Sequence, residues 1–417
     1  MFRTKPNLFY TNSSTGHPAY AAATVLIALT FSFLIPPSAQ AQSFDLFYTF
    51  NGVVGANPRG NSLLDSLGNL YGTTSNGGSN LEGTVFKVSP SGKATRLYSF
   101  TGGPDGRGPA AGMIADANGN LYGTATSGGY TGGICGGARS GCGVIYEVST
   151  TGQETVLYAF RGGADGDSPY HELVRDTAGN LYGNTEWGGV FGGPCGTLGC
   201  GVVFKLDPSG NETVLYAFTG ASDGAHPNSP LILDGSGNLY GTTSAGGNRS
   251  GSVCQPYKGC GVIFKIDSAG NETVLYPFTG GSDGGFPWAV IADASGNFYG
   301  CTEVGAASDH GTVFELSAAS QFSVLYSFSS HGVDFGCGGL VRASDGTLYG
   351  TTNYASGTIF TLDTRGHYNV LHRFNTPADG TTPNVPTLDS QANLWGTTAY
   401  GGNPKCGECG VVYKITP

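Results

Sequence analysis

From Phe44 onward the chain alternates short apolar runs with clusters of Gly, Asn, Asp and Ser, and no stretch has helical spacing. Residues 97–148 show the pattern. Leu97-Tyr98-Ser99-Phe100 is an apolar run of strand length, and a glycine-rich loop with Asp105-Gly106 and Pro109 leads from it to Met113-Ile114-Ala115-Asp116. The turn Ala117-Asn118-Gly119-Asn120 supplies residues that tolerate positive φ, and Leu121-Tyr122-Gly123-Thr124 returns. A longer loop opens on Gly128-Gly129. Val144-Ile145-Tyr146-Glu147-Val148 follows, and Thr150-Thr151-Gly152 turns it into Val156-Leu157-Tyr158-Ala159-Phe160. The pattern predicts four strands of about five residues each, joined by hairpins.

This unit recurs. Near-copies of Gly-Asn-Leu-Tyr-Gly-Thr-Thr begin at Gly68, Gly119, Gly179, Gly237, Gly296, Gly346 and, as Ala-Asn-Leu-Trp-Gly-Thr-Thr, at Ala392, with spacings of 51, 60, 58, 59, 50 and 46 residues. A fixed internal pattern at such a period is the signature of a repeat architecture. Strands this short do not cross an outer membrane, which needs about 9–11 residues per strand, and tight Gly-Asn turns argue for antiparallel hairpins over a β-helix. The expected fold is all-β: a seven-bladed β-propeller of four-stranded antiparallel blades over 42–417. The ends support closure of the ring. Phe44-Asp45-Leu46-Phe47-Tyr48-Thr49-Phe50 matches the outermost strand of the repeat, and Gly410–Ile415 matches the strand before it. An N-terminal strand completing the last blade removes an exposed edge.

The wording Gly68-Asn69-Leu70-Tyr71-Gly72-Thr73-Thr74-Ser75-Asn76-Gly77-Gly78, followed by Gly83-Thr84-Val85-Phe86-Lys87-Val88, resembles the GloVer-type tandem repeat of exported, "choice-of-anchor" bacterial proteins. The resemblance covers 44–417. It implies export and repeats, and it brings no catalytic residues. A C-terminal anchor, which such proteins carry, is not seen after Tyr413-Lys414-Ile415-Thr416-Pro417.

Residues 1–41 read as a signal peptide: Arg3 and Lys5, an apolar run from Ala21 to Ile35, then Ala39-Gln40-Ala41 before the cleavage site. An uncleaved anchor is the competing reading. Of 19 basic and 29 acidic residues the leader takes two basic ones, leaving 17 and 29 and a net charge of −12. An acidic, weakly charged chain argues against nucleic acid as partner. The expectation is a secreted or periplasmic monomer with no cofactor and no membrane span after cleavage.

Eight of the ten cysteines form close pairs in equivalent loops: Cys135/Cys142, Cys195/Cys200, Cys254/Cys260 and Cys406/Cys409. In an exported chain these read as disulfides. A redox site at Cys406-Gly407-Glu408-Cys409 lacks the helix it needs, and zinc lacks His at the spacing. Cys301 and Cys337 remain, and a bridge between adjacent blades accounts for them.

Strands alternate direction, so the loops sort onto two faces. The Asp-x-x-Gly-Asn turns (Asp65, Asp116, Asp176, Asp234, Asp293 and Asp389) fall on the uniform face, and the loops of variable length fall on the other. Variable loops on a rigid scaffold are where binding sites are built. The binding site is expected on that face, concentrated on blades two to four, where the long disulfide-closed loops adjoin. Several residues there break the repeat: Tyr170-His171-Glu172 where blade two has Ala110-Ala111-Gly112, Trp288 in blade five, Glu186-Trp187 and Glu303. Aromatic rings beside carboxylates suit a sugar-binding cleft. The competing reading has Trp288 plugging the channel and His171 as a satisfied buried histidine. Asp105, Asp165, Asp223, Asp283 and Asp379 precede the loop prolines; a carboxylate ring at a channel mouth can hold Ca²⁺, whereas repetition suits a structural Asx turn.

Three functions compete. The first is a non-catalytic binding propeller for a polysaccharide or extracellular protein. The second is a carbohydrate-active lyase or hydrolase using His171, Glu172, Glu186 or Glu303, and the third is a structural component of the envelope or matrix.

Overall fold

Every copy of the Leu-Tyr-Gly-Thr-Thr motif becomes the second strand of a four-stranded antiparallel blade in the computed structural model, which describes residues 42–136, 140–250, 253–254, 259–306, 308–329, 336–406 and 408–417. The leader, 1–41, lies outside the described residues. Blade one runs Ala56–Leu64, Leu70–Asn76, Thr84–Val88, Ala94–Ser99, from innermost to outermost strand. Six further blades repeat that order, and no α-helix occurs among the described residues. The innermost strand is shorter than expected in blades two and three, only Ile114–Ala115 and Val174–Arg175. In blades four and seven it is split, into Ala225–Pro227 with Ile232–Leu233 and Thr381–Pro383 with Thr387–Leu388.

Ring closure follows the expected route. Ser43–Thr49 pairs antiparallel with Val411–Thr416, with Leu46 opposite Tyr413, and supplies the outermost strand of blade seven. All seven blades carry a register shift between their two outer strands, for example at Val85/Phe86 and Leu46/Tyr48. A bulge at the same place adds the same local twist to each blade.

The packing between blades is equally periodic. The aromatic residue of each third strand (Phe86, Tyr146, Phe204, Phe264, Phe314, Phe360 and Tyr413) is fully buried. It meets the phenylalanine ending the previous blade (Phe50, Phe100, Phe160, Phe218, Phe278, Phe328 and Phe374) at ring centroid distances of 4.9–5.7 Å. On its own blade the ring lies over the glycine opposite: a Cβ on Gly72 would come within 2.7 Å of Phe86 Cζ. This close approach explains why the motif keeps glycine between Tyr and Thr.

A second set of contacts ties neighbouring blades near the axis. Thr73 Oγ1 donates to the Ala111 carbonyl at 2.7 Å, Thr124 Oγ1 to His171 at 3.3 Å and Thr242 Oγ1 to Trp288 at 3.2 Å. Asn184 Nδ2 does the same for Ser229 at 2.7 Å, and Asn384 Nδ2 bridges Thr397 Oγ1 and the Pro58 carbonyl at 2.8 and 2.9 Å. Between blades five and six the equivalent residue is Cys301, and its disulfide to Cys337 takes the place of the hydrogen bond. Cys337 is the first residue of its strand, Cys337–Arg342.

All ten cysteines are paired as the spacing indicated: Cys135–Cys142, Cys195–Cys200, Cys254–Cys260, Cys301–Cys337 and Cys406–Cys409, with Cα–Cα distances of 5.0–5.9 Å. Three pairs start from a short 3-10 turn: Gly133–Cys135, Gly193–Cys195 and Pro404–Cys406. Closing loops this short contributes about 2 kcal/mol each. The second cysteine of each loop pair, Cys142, Cys200, Cys260 or Cys409, is buried. Its carbonyl also accepts a backbone N–H from the next blade: Ser168 at 3.0 Å, His226 at 2.8 Å, Phe286 at 2.9 Å and Asn57 at 2.9 Å respectively. The loop bridges thus fix seams between blades as well as the loops they close. Five disulfides fit an oxidising compartment, and no helix among the described residues is long and apolar enough to cross a membrane.

Candidate functional site

The innermost strands enclose a cavity of about 440 Å³ on the ring axis, to which all seven blades contribute. Its wall is built by one recurrent device. In six blades the residue before the loop proline takes a left-handed backbone: Asn57, Gly108, Ser168, His226, Phe286 and Thr382, with φ of 54–60°. Five of these are not glycine, a conformation that costs on the order of 1 kcal/mol each. The residue after that proline then lines the cavity: Arg59, Ala110, Tyr170, Asn228, Trp288 and Asn384.

Of the residues singled out in the sequence, the cavity brings together Tyr170, His171, Glu172 and Trp288. The Tyr170 and His171 rings meet edge to face at 5.4 Å. Glu172 reaches from blade three across blade two to blade one, where its Oε1 accepts the Asn61 backbone N–H at 3.0 Å. Gly112 makes the path possible, because a Cβ there would overlap the Glu172 carboxylate. Protein surrounds both groups although their surfaces are partly open to the channel. Burial therefore lowers His171 to about 4 and raises Glu172 to about 7, the latter against the opposing Asn61 hydrogen bonds.

Glu186, Trp187 and Glu303 do not join them. Trp187 packs on His226 at 4.5 Å, and the Glu186 carbonyl meets His226 Nδ1 at 3.2 Å, out on the loops of blades three and four. Glu303 belongs to Phe298–Val304 of blade five. Burial raises the pKa of both Glu186 and Glu303, and neither lines the cavity. Trp288 lines the cavity while packing against the cluster of Cys301, Leu340 and Phe360. Its Nε1 has no hydrogen-bond partner.

The expected role of the disulfide-closed loops of blades two to four as the surround of the site is also corrected. Cys135 and Cys142 pack with Phe160 and Phe204, Cys195 and Cys200 with Phe218 and Phe264, and Cys254 and Cys260 with Phe278 and Phe314. These are the apolar seams between blades, and no cysteine lines the cavity. The pairs act on the site only at one remove, through the carbonyls of Cys142, Cys200 and Cys260 that hold the left-handed residues Ser168, His226 and Phe286.

The idea of a carboxylate ring at the channel mouth is corrected. Asp105 accepts from the Thr101 N–H at 2.7 Å and from the Tyr98 hydroxyl at 2.9 Å, and Tyr98 sits on the outermost strand of its blade. Asp165, Asp223 and Asp283 repeat the tyrosine contact with Tyr158, Tyr216 and Tyr276, and Asp379 meets His372 Nε2 at 3.2 Å. None lines the cavity; each closes its own loop at the periphery. Among the described residues no three His, Cys, Asp or Glu side chains gather as a metal site requires.

Arg59, Asn61, Asn228, Asn353 and Asn384 line the cavity and were missed. The position after each loop proline was a readable signal for three of them. A further feature lies outside the cavity: Leu81, Tyr130, Ile134, Val190, Phe191, Leu198 and Tyr354 are exposed on loops of the variable face, and Tyr400 is exposed at the end of the strand Leu394–Tyr400.

A search among curated proteins finds no match. Solved structures similar to this chain include a gluconolactonase, XC5397, from Xanthomonas campestris (13% identity, 90% of this chain and 89% of that chain, TM-score 0.44). Another is a putative gluconolactonase (13%, 81% and 96%, 0.44). A third is a luciferin-regenerating enzyme (14%, 90% and 95%, 0.45). The model of the Gloeobacter/Verrucomicrobia repeat matches residues 7–254, 134–354 and 196–409, and the chain belongs to that repeat family.

Proposed function

We propose that this chain is an exported, non-catalytic binding propeller that takes a polysaccharide at the mouth of its channel. The observation that carries the reading is the composition of the cavity wall. It is lined by the Tyr170 and Trp288 rings, by Asn61, Asn228 and Asn353, by Asn384, whose Nδ2 is spent on Thr397 and Pro58, and by a single carboxyl group, Glu172. Rings stack on pyranose faces and amides bond to hydroxyls. Ordinary glycoside hydrolysis needs two carboxyl groups about 5–9.5 Å apart, and Glu186 and Glu303 stand outside the cavity. Five disulfides support a secreted or periplasmic location.

The test incubates the purified protein with a panel of soluble polysaccharides and reads depletion together with new reducing or unsaturated ends. Binding without product is expected, weakened tenfold or more by Trp288→Ala. Product formation sinks the non-catalytic reading and directs mutagenesis to His171 and Glu172. A protein partner is the second reading, favoured by the exposed apolar side chains on the variable face; absence of any glycan binding would turn attention to it.

A further inference from the structure

We infer that the channel cavity receives a cationic amino group, as carried by a de-N-acetylated amino sugar, with Glu172 as its counter-ion. The inference rests on the glycan-binding reading and names the sugar class.

Two side chains of the cavity wall bear on charge near neutral pH: the Arg59 guanidinium and the Glu172 carboxyl, which burial leaves only about half ionised there. Arg59 is engaged at the rim: its Nη2 donates to the Tyr400 hydroxyl at 2.9 Å, and its guanidinium lies 5.5 Å from the centre of that ring. Glu172 has only Asn61, and no cation among the described residues pairs with it. An enclosed carboxylate without a partner is costly, and burial accordingly pushes its pKa up to about 7. The fold nonetheless keeps it, and keeps Gly112 beside it so that it fits.

A ligand ammonium supplies what this wall lacks, a positive charge and several donors. The Tyr170 and Trp288 rings suit it as well, since aromatic faces attract cations. His171 is neutral across the physiological range and adds no competing charge. A neutral sugar would leave Glu172 unpaired, and an acidic sugar would meet like charge. Ca²⁺ is the competing cation, since it takes oxygen ligands that include Asn amides; this wall holds one carboxyl group and no group of three His, Cys, Asp or Glu among the described residues, and the Ca²⁺ arm of the test separates the two.

The test titrates the protein at pH 6 with a β-1,4-linked glucosamine tetramer and with its fully N-acetylated counterpart, by calorimetry in buffers of different ionisation enthalpy. The amine form should bind at least tenfold more tightly. It should also release about one proton per site, because pairing draws Glu172 into its charged form. Glu172→Gln, which keeps an acceptor for the Asn61 N–H, should abolish both the preference and the proton release. Thermal unfolding of this variant checks that it folds, and Trp288→Leu provides a second variant that should weaken both tetramers, the amine form at least as much as its acetylated counterpart. Equal affinity for the two tetramers overturns the inference. So does a preference that survives Glu172→Gln, or displacement of the amine by Ca²⁺ alone. If other glycans bind while neither tetramer does, the amino-group inference falls and glycan binding stands. If no glycan binds, the proposed function itself falls.

Discussion

Tyr146 and Tyr413 occupy the third-strand position that Phe86, Phe204, Phe264, Phe314 and Phe360 fill in the other blades, and the difference is one hydroxyl group. Both rings are fully buried, and both hydroxyl oxygens lack a hydrogen-bond partner. A buried, unpaired polar group costs about 1–3 kcal/mol relative to its apolar isostere. Tyr146→Phe should therefore raise unfolding stability by about 1 kcal/mol, and Tyr413→Phe should do the same. Denaturant titration of the two single variants and the double checks this. Loss of stability in either would mean that the hydroxyl finds a partner not visible in its surroundings. Legibility in the sequence differed between residues of this kind. The aromatic position was readable from the repeat, because a buried third strand needs apolar side chains whatever its neighbours are. The orphaned hydroxyl was not, because satisfaction of a polar atom depends on the next blade, which only the ring geometry supplies. Glu172 was visible as a break in the repeat, whereas its reach past Gly112 to Asn61 spans three blades and leaves no local trace.

At the scale of strands and seams, the threonines of the Gly-Thr-Thr motif divide into groups that the sequence writes identically. Thr73 Oγ1 holds the Ala111 carbonyl across the first seam, while Thr351 Oγ1, at the equivalent place between blades six and seven, is buried without a partner. Thr73→Val should cost about 1 kcal/mol, the net worth of a hydrogen bond whose acceptor stays buried. Thr351→Val should cost nothing or stabilise slightly. Equilibrium unfolding of the two variants side by side decides, and equal losses would show that the axial seam bonds are not what distinguishes the threonines. The strands, the blade count and the closing strand were all legible, since hydrophobic alternation and turn residues act within a few positions. The Asp105-type loops were misplaced for a related reason. Sequence spacing put them on the variable face, but only the tyrosine partner on the outermost strand shows that they lie at the periphery and not at the axis. The cysteine pairs were legible as pairs, since two cysteines a few residues apart need only their own loop to meet. That Cys142, Cys200 and Cys260 belong to the seams was not, because their burial comes from the following blade. The Cys301–Cys337 bridge was readable by elimination, yet its meaning as a covalent substitute for the Thr73-type contact required the seams to be compared.

For the whole molecule, the periodic placement of carboxyl groups sets how stability depends on pH. Six turn aspartates, Asp65, Asp116, Asp176, Asp234, Asp293 and Asp389, have pKa values below the usual range. Partial burial opposes this, but hydrogen bonds from the following Asn, from turn backbone N–H groups and from Tyr or Trp outweigh it. With a folded pKa below the unfolded one, their stabilisation is present above about pH 4 and is lost as pH falls through the folded value. Glu154, Glu212 and Glu272 behave in the opposite way. Burial first, then the neighbouring Asp105, Asp165 or Asp223, raises each to about 7. A raised carboxyl pKa gives stabilisation that is complete below the unfolded value of about 4.3 and is lost as pH rises through 7. Glu172 adds to this limb, while His171, lowered to about 4, works against it below its unfolded value. Four glutamates outweigh one histidine, so the melting temperature should peak near about pH 5 and decline toward pH 8. The triple variant Glu154→Gln, Glu212→Gln, Glu272→Gln should flatten that decline and leave the acid limb unchanged, because the turn aspartates that set it are untouched. Melting curves of the two proteins from pH 3 to pH 9 test both limbs. A maximum at or above pH 7, or an alkaline slope unaltered in the triple variant, would show that these glutamates are better solvated than their places between the blades imply.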